Sequence, residues 1–111
     1  MAIVNKPGEK NVFNKGEGWT ATTLADKTSI GTSAIAAYRW SFDANAHGPE
    51  LVHGEYEQLL FVISGGGVAL VNGESLTLDT ETVLWLNPND VYQFITGEHG
   101  LEILQGFAPG E

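Results

Sequence analysis

The stretch that decides the fold begins Pro49-Glu50-Leu51-Val52-His53-Gly54-Glu55-Tyr56-Glu57-Gln58 and continues Leu59-Leu60-Phe61-Val62-Ile63-Ser64. It then runs Gly65-Gly66-Gly67-Val68-Ala69-Leu70-Val71 and closes on Asn72-Gly73-Glu74. Leu59 to Ile63 is an unbroken apolar run with β-branched and aromatic members, too short for a helix and suited to a strand buried on both faces. Three glycines follow, allowing a positive φ or a close backbone approach where a sheet turns a corner. Val68 to Val71 resumes as strand, Asn72-Gly73 is the signature of a type I′ hairpin, and Glu74 to Leu78 is the return strand.

Working outward, Met1 to Gly18 is polar and glycine-rich and reads as an arm with one short strand at Val12-Phe13. Residues 19–111 then form one barrel-sized domain. Trp19 to Leu24 alternates as a half-buried strand, with Trp19, Ala21 and Thr23 on one face. Asp26 to Thr32 reads as a turn or loop. In Ser33 to Phe42 the period of two puts Ala34, Ala36, Tyr38, Trp40 and Phe42 on one face, expected to pack against a second sheet or a subunit. Arg39 falls on the opposite face, a candidate for the cavity side, where it would bind a carboxylate. The alternative for Arg39 is a salt bridge on an exposed strand or at a subunit contact. Thr82 to Leu86, Val91 to Thr96 and Leu101 to Phe107 complete the strands, with Asn87-Pro88-Asn89-Asp90 a dense turn. No segment has a long helical period. About eight to ten short strands at close spacing predict an all-β jelly-roll barrel of antiparallel strands or a sandwich.

Composition narrows the classes. The 111 residues suffice for one core, and 42% hydrophobic content is that of a globular chain. The longest apolar run is far short of the roughly 20 residues a membrane helix needs. Met1 to Lys10 lacks the apolar region of a secretory signal, so a cytoplasmic location is expected. There is no cysteine, which excludes disulfides, a thiolate nucleophile and a cysteine-rich zinc site. Fourteen acidic residues against five basic give a net charge of −9. That balance repels phosphate backbones and anionic bilayers, so neither nucleic acid nor membrane is an expected partner.

Two segments resemble the paired motifs of the cupins. Pro49 to Gly73 is similar to the first motif and Thr82 to Phe94 to the second. The resemblance implies a jelly-roll barrel with an interior pocket, usually dimeric, so a homodimer is expected. In most cupins three histidines and a glutamate hold a divalent metal inside the barrel. Counting back from Gly65 puts Gln58 at the glutamate position, His53 at the second histidine and Leu51 at the first. In the second motif Pro88 matches the proline, Asp90 replaces the glycine, Gln93 stands at the final histidine, and Thr82 at the opening glycine. Of the four ligand positions only His53 keeps its residue.

The candidate site is therefore His53, Gln58 and Gln93, with Arg39 and Tyr56 as further ligand-binding groups. His53 reads as a ligand or general base, or as a hydrogen-bonded core histidine. Gln58 and Gln93 read as a polar pair for an uncharged ligand, or as partners satisfying one another. Tyr92, next to Gln93, is expected to face the other way. Either Tyr56 or Tyr92 beside His53 would resemble the acid–base arrangement of metal-free sugar epimerases on this fold, although that family's His-Asp pair has no match here. A divalent transition metal on His53 and Gln58 would need a carboxylate from Glu55 or Glu57, or His47, because imidazole binds such ions well and amides poorly. Trp40 and Trp85 read as sheet-packing residues and His99 as an exposed turn residue. Three functions follow. The first is a metal-free or weakly metal-binding cupin holding a small organic molecule in the barrel. The second is a metal-dependent dioxygenase, lyase or isomerase with an altered ligand set. The third is a metal-free isomerase or epimerase using His53 as base.

Overall fold

In the computed structural model, residues 3–32, 34–52, 54 and 58–107 are described. Among these residues eight strands form a mostly antiparallel β-fold: β1 (Val12–Gly16), β2 (Trp19–Ala25), β3 (Ala36–Phe42), β4 (Leu51–Val52), β5 (Gln58–Val71), β6 (Glu74–Leu78), β7 (Val83–Leu86) and β8 (Val91–Phe107). The architecture is the jelly roll expected from the strand pattern. β5 and β8 are long and bent, and each belongs to two layers. Their outer halves pair Gln58 with Phe107 through Val62 with Ile103, while β3 lies on the far side of β8 and β7 on the far side of β5. Their inner halves pair Gly67 with Thr96 through Val71 with Tyr92, flanked by β4 and β6. The hydrogen-bonded path runs β1-β2-β3-β8-β5-β6 and, among the described residues, does not close on itself. The barrel is thus an open sheet folded over its own interior.

The fold-over requires the glycines. Register shifts occur between Val62 and Ser64 and between Gly65 and Gly67. Gly65 has φ +79°, and a methyl group there would overlap the carbonyl of Gly100; one on Gly67 would overlap the carbonyl of Ile95. Only glycine lets the two bent strands approach this closely. The Asn72-Gly73 hairpin has φ of 50° and 85°, both positive as a type I′ turn demands.

Between the layers lie Ala21, Trp40, Phe42, Leu60, Val62, Leu101 and Ile103 from one side, and Ala69, Leu78, Tyr92 and Phe94 from the other. The aromatic face of β3 therefore lines the interior, and Arg39 is on the outside. Its guanidinium meets Glu102 at 2.8 Å on the exposed face, which corrects the inward placement. The apolar run of β5 is likewise one-sided: Leu60 and Val62 are buried while Leu59 is exposed.

Two further expectations change. The segment after Asp26 contains a short helix, α1 (Lys27–Ile30), because Asp26 and Ser29 cap each other's backbone and Gly31 ends it with φ 81°. Trp85 does not pack under a sheet; it stands 55% exposed beside Val83 on β7. The β1 strand of the arm pairs with β2 of its own chain.

Candidate functional site

Inside the fold, four polar side chains from three strands converge. Gln58 opens β5, Trp40 is central in β3, and Tyr92 and Gln105 sit at opposite ends of β8. The bend of β8 brings the last two together, because the buried phase changes from Tyr92, Phe94 and Thr96 to Leu101, Ile103 and Gln105 across Gly97 to Gly100. Gln58, Tyr92 and Gln105 are 1%, 3% and 4% exposed.

The indole Nε1 of Trp40 donates to Oε1 of Gln105 at 2.7 Å. Nε2 of Gln105 donates to Oε1 of Gln58 and to the hydroxyl of Tyr92 at 3.1 Å. One group is left over: Nε2 of Gln58 is buried and, among the described residues, has no hydrogen-bond partner. A buried amide donor without a partner is uncommon in folded proteins and asks for an explanation. Burial pushes the Tyr92 phenol up from its ordinary value, and the amides of Gln105 and Gln58 pull it part of the way back. At neutral pH Tyr92 is therefore an uncharged hydroxyl.

Aromatic rings wall the cluster. Trp40 stacks on Phe42 at 6.1 Å, Phe42 meets Phe94 edge-on at 5.8 Å, and Tyr92 meets Phe94 edge-on at 5.7 Å.

Of the expected site residues, Gln58 is placed as read. Gln93 and Tyr92 exchange roles. Tyr92 points inward, and Gln93 is half-buried on the other face, donating from Nε2 to the carbonyl of Gly48 at 2.8 Å. The physical reason is register: Val71, which packs against the core, pairs with Tyr92, and Leu70 with Gln93, and paired residues share a face of the sheet. Gln93 instead ties down the Asp43 to Gly48 loop. His53 and Tyr56, like Glu55 and Glu57, lie outside the described residues. His47 is exposed at a surface hollow with Glu17, Asp43 and Asn45, away from the interior cluster. His99 is exposed beside Glu98. Gln105 was not anticipated. The signal for it was a glutamine in phase with inward Leu101 and Ile103.

Asp90, which replaces the glycine of the second motif, has a structural use. Its carboxylate accepts from the Asn87 backbone and from the Asn72 side chain, each at 2.9 Å, joining the turn to the hairpin. The positive φ passes to Asn89, at 65°.

Solved structures share this fold. The structure of KdgF from Halomonas sp. superposes with a TM-score of 0.74 at 18% identity, over 90% of this chain and 86% of that one. An RmlC-like cupin from Shewanella frigidimarina gives 0.73 at 19%, over 90% and 84%. The chain has the cupin fold. A predicted oxalate decarboxylase from Thermotoga maritima gives 0.70 at 15%, over 82% and 80%. No protein-family model matches the sequence, and comparison with curated proteins found no relative.

Within this cupin fold the interior groups described do not fit the divalent metal that the family resemblance implies. They are two primary amides, an indole and a protonated phenol, which bring neither negative charge nor imidazole to a dication stripped of water. Among the described residues no group of three or more histidine, cysteine, aspartate or glutamate side chains is placed to hold one. Among the same residues no helix is long and apolar enough to cross a membrane.

Proposed function

We propose that this small cupin binds a small organic molecule inside the barrel through neutral hydrogen-bonding groups, with no metal or only a weakly held one. The observation that carries the reading is the unpartnered Nε2 of Gln58, held among Gln105, Tyr92 and Trp40 in an aromatic enclosure. A mostly apolar wall with a few convergent polar atoms is the common form of a small-molecule site. The test has two arms on the untagged protein. Metal analysis is expected to find well below one equivalent of any transition metal. An NMR fragment screen is expected to give hits that shift the side-chain amides of Gln58 and Gln105. A stoichiometric metal, or hits confined to the outer surface, would sink the proposal.

The partner we propose is a second copy of the chain, seated on the outer face of β3, β8, β5 and β7. There the register sets Trp85 beside Leu59, Val83 beside Phe61, and Phe61 beside Leu104. Val83 and Trp85 are 56% and 55% exposed. In a chain of net charge −9, the outward positions of this layer carry a single acid, Glu102, already paired to Arg39. Two copies related by a twofold axis would cover apolar surface without opposing acidic fields. Sedimentation should show a dimer for the native chain and a monomer for Trp85→Lys and Leu104→Lys. A native chain that sediments as a monomer at micromolar concentration would dispose of this interface.

A further inference from the structure

Asn72-Gly73 is the one Asn-Gly pair in the sequence, and it stands at the exposed tip of the β5–β6 hairpin. Such a pair carries its own reaction. The Gly73 backbone nitrogen attacks Cγ of Asn72 and gives up its proton, the side-chain nitrogen leaves as ammonia, and a five-membered succinimide closes. Water then opens that ring at either carbonyl, giving aspartate or isoaspartate, so that one water is consumed for each ammonia released. Glycine permits the attack because no Cβ shields the nitrogen, and nothing lies within 4 Å of the place a Cβ on Gly73 would take.

The fold restrains the other partner. Asn72 Nδ2 donates to Oδ1 of Asp90 at 2.9 Å, and Asn72 Oδ1 accepts from the Val91 backbone at 2.9 Å. The backbone N–H of Asn72 donates to the Val91 carbonyl at 2.7 Å. Asp90 is itself seated by the Asn87 backbone N–H. Both ends of the carboxamide are therefore tied across to the next turn, and Cγ reaches the Gly73 nitrogen only after those bonds open. We propose that Asn72 is a deamidation site that Asp90 holds shut while the chain is folded. The product would abolish its own restraint. A carboxylate at position 72 has no proton to give Asp90, and two like charges would face each other there. Isoaspartate would add a backbone atom to a two-residue turn that sets the hairpin register.

The experiment ages the full chain at mildly alkaline pH and follows conversion of the Asn72 peptide by mass spectrometry. The native chain is expected to convert at least about tenfold more slowly than the same chain held unfolded in guanidinium chloride. Asp90→Ala, its fold checked by the backbone NMR spectrum, should convert about tenfold faster than the native chain, the effect of losing one hydrogen bond to a charged group. Asp90→Asn keeps an oxygen without the charge; it should fall between the two, and it carries the test if Asp90→Ala does not fold. Asn72→Asp, the product itself, should unfold at lower denaturant than the native chain. A native chain that converts as fast as the unfolded one, or Asp90 variants no faster than native, would overturn the restraint. An Asn72→Asp chain with the native midpoint would overturn the consequence drawn for the product.

Discussion

Gly65→Ala is expected to lose at least about 3 kcal/mol of stability and much of the soluble yield, the sum of left-handed strain and a backbone overlap. The residue has φ +79°, and its new methyl would run into the Gly100 carbonyl on β8. A backbone atom cannot rotate aside as a side chain does, so β5 and β8 would have to separate where both bend. Gly73→Ala provides the control. That glycine has φ +85° but nothing within 4 Å of an added Cβ, so only the conformational cost of about 1–2 kcal/mol should appear. Urea titrations of the two variants check the difference. Similar midpoints would mean that the corner is not as tight as the coordinates place it.

The second large effect belongs to Gln105. Gln105→Leu removes the acceptor of Trp40 Nε1 and the donor to Gln58 and Tyr92. With each newly orphaned buried group costing about 1–3 kcal/mol, a loss of about 2–4 kcal/mol is expected. Gln58→Leu should behave differently. It deletes an amide nitrogen that already lacks a partner, and Gln105 keeps its bonds to Trp40 and Tyr92. It also removes the oxygen that accepts from Gln105, so its stability should fall by about 1 kcal/mol, less than that of Gln105→Leu, because one lost bond is offset by removal of an unsatisfied nitrogen. This ordering separates the two glutamines by role: Gln105 organises the cluster, whereas Gln58 accepts one bond from it and carries a donor that the described fold leaves unpaired. Equal losses in both variants under urea denaturation would contradict it.

Much of the fold was legible because its signals are local. The Asn72-Gly73 turn, the Gly65 to Gly67 corner and the apolar strand before it each follow from backbone chemistry within a few residues, and spacing from Gly65 placed Gln58 correctly. The site was less legible because it depends on strand phase. Val91 to Thr96 carries apolar residues on both faces, Val91 and Ile95 on one and Tyr92 and Phe94 on the other. The alternation therefore could not say which face is inside. Counting from Pro88 chose Gln93, while pairing with the core-facing Val71 turned Tyr92 inward. Arg39 was open for a related reason. Its face of β3 read either as the cavity side or as an exposed strand with a salt bridge, and the second holds, because the aromatic side of β3 was the one with enough apolar surface to fill the interior. Gln105 lies in neither motif, and only its phase within an apolar strand marked it. The α1 helix was missed because it is a single turn made by its caps, with no apolar period to reveal it.

The doubling of β5 and β8 across both layers has a mechanical meaning. Neither layer owns its central strands, so pulling one apart removes the middle of the other. Such a molecule has no cheap way to open halfway. A guest in its interior must enter past the rim or wait for the whole chain to come undone.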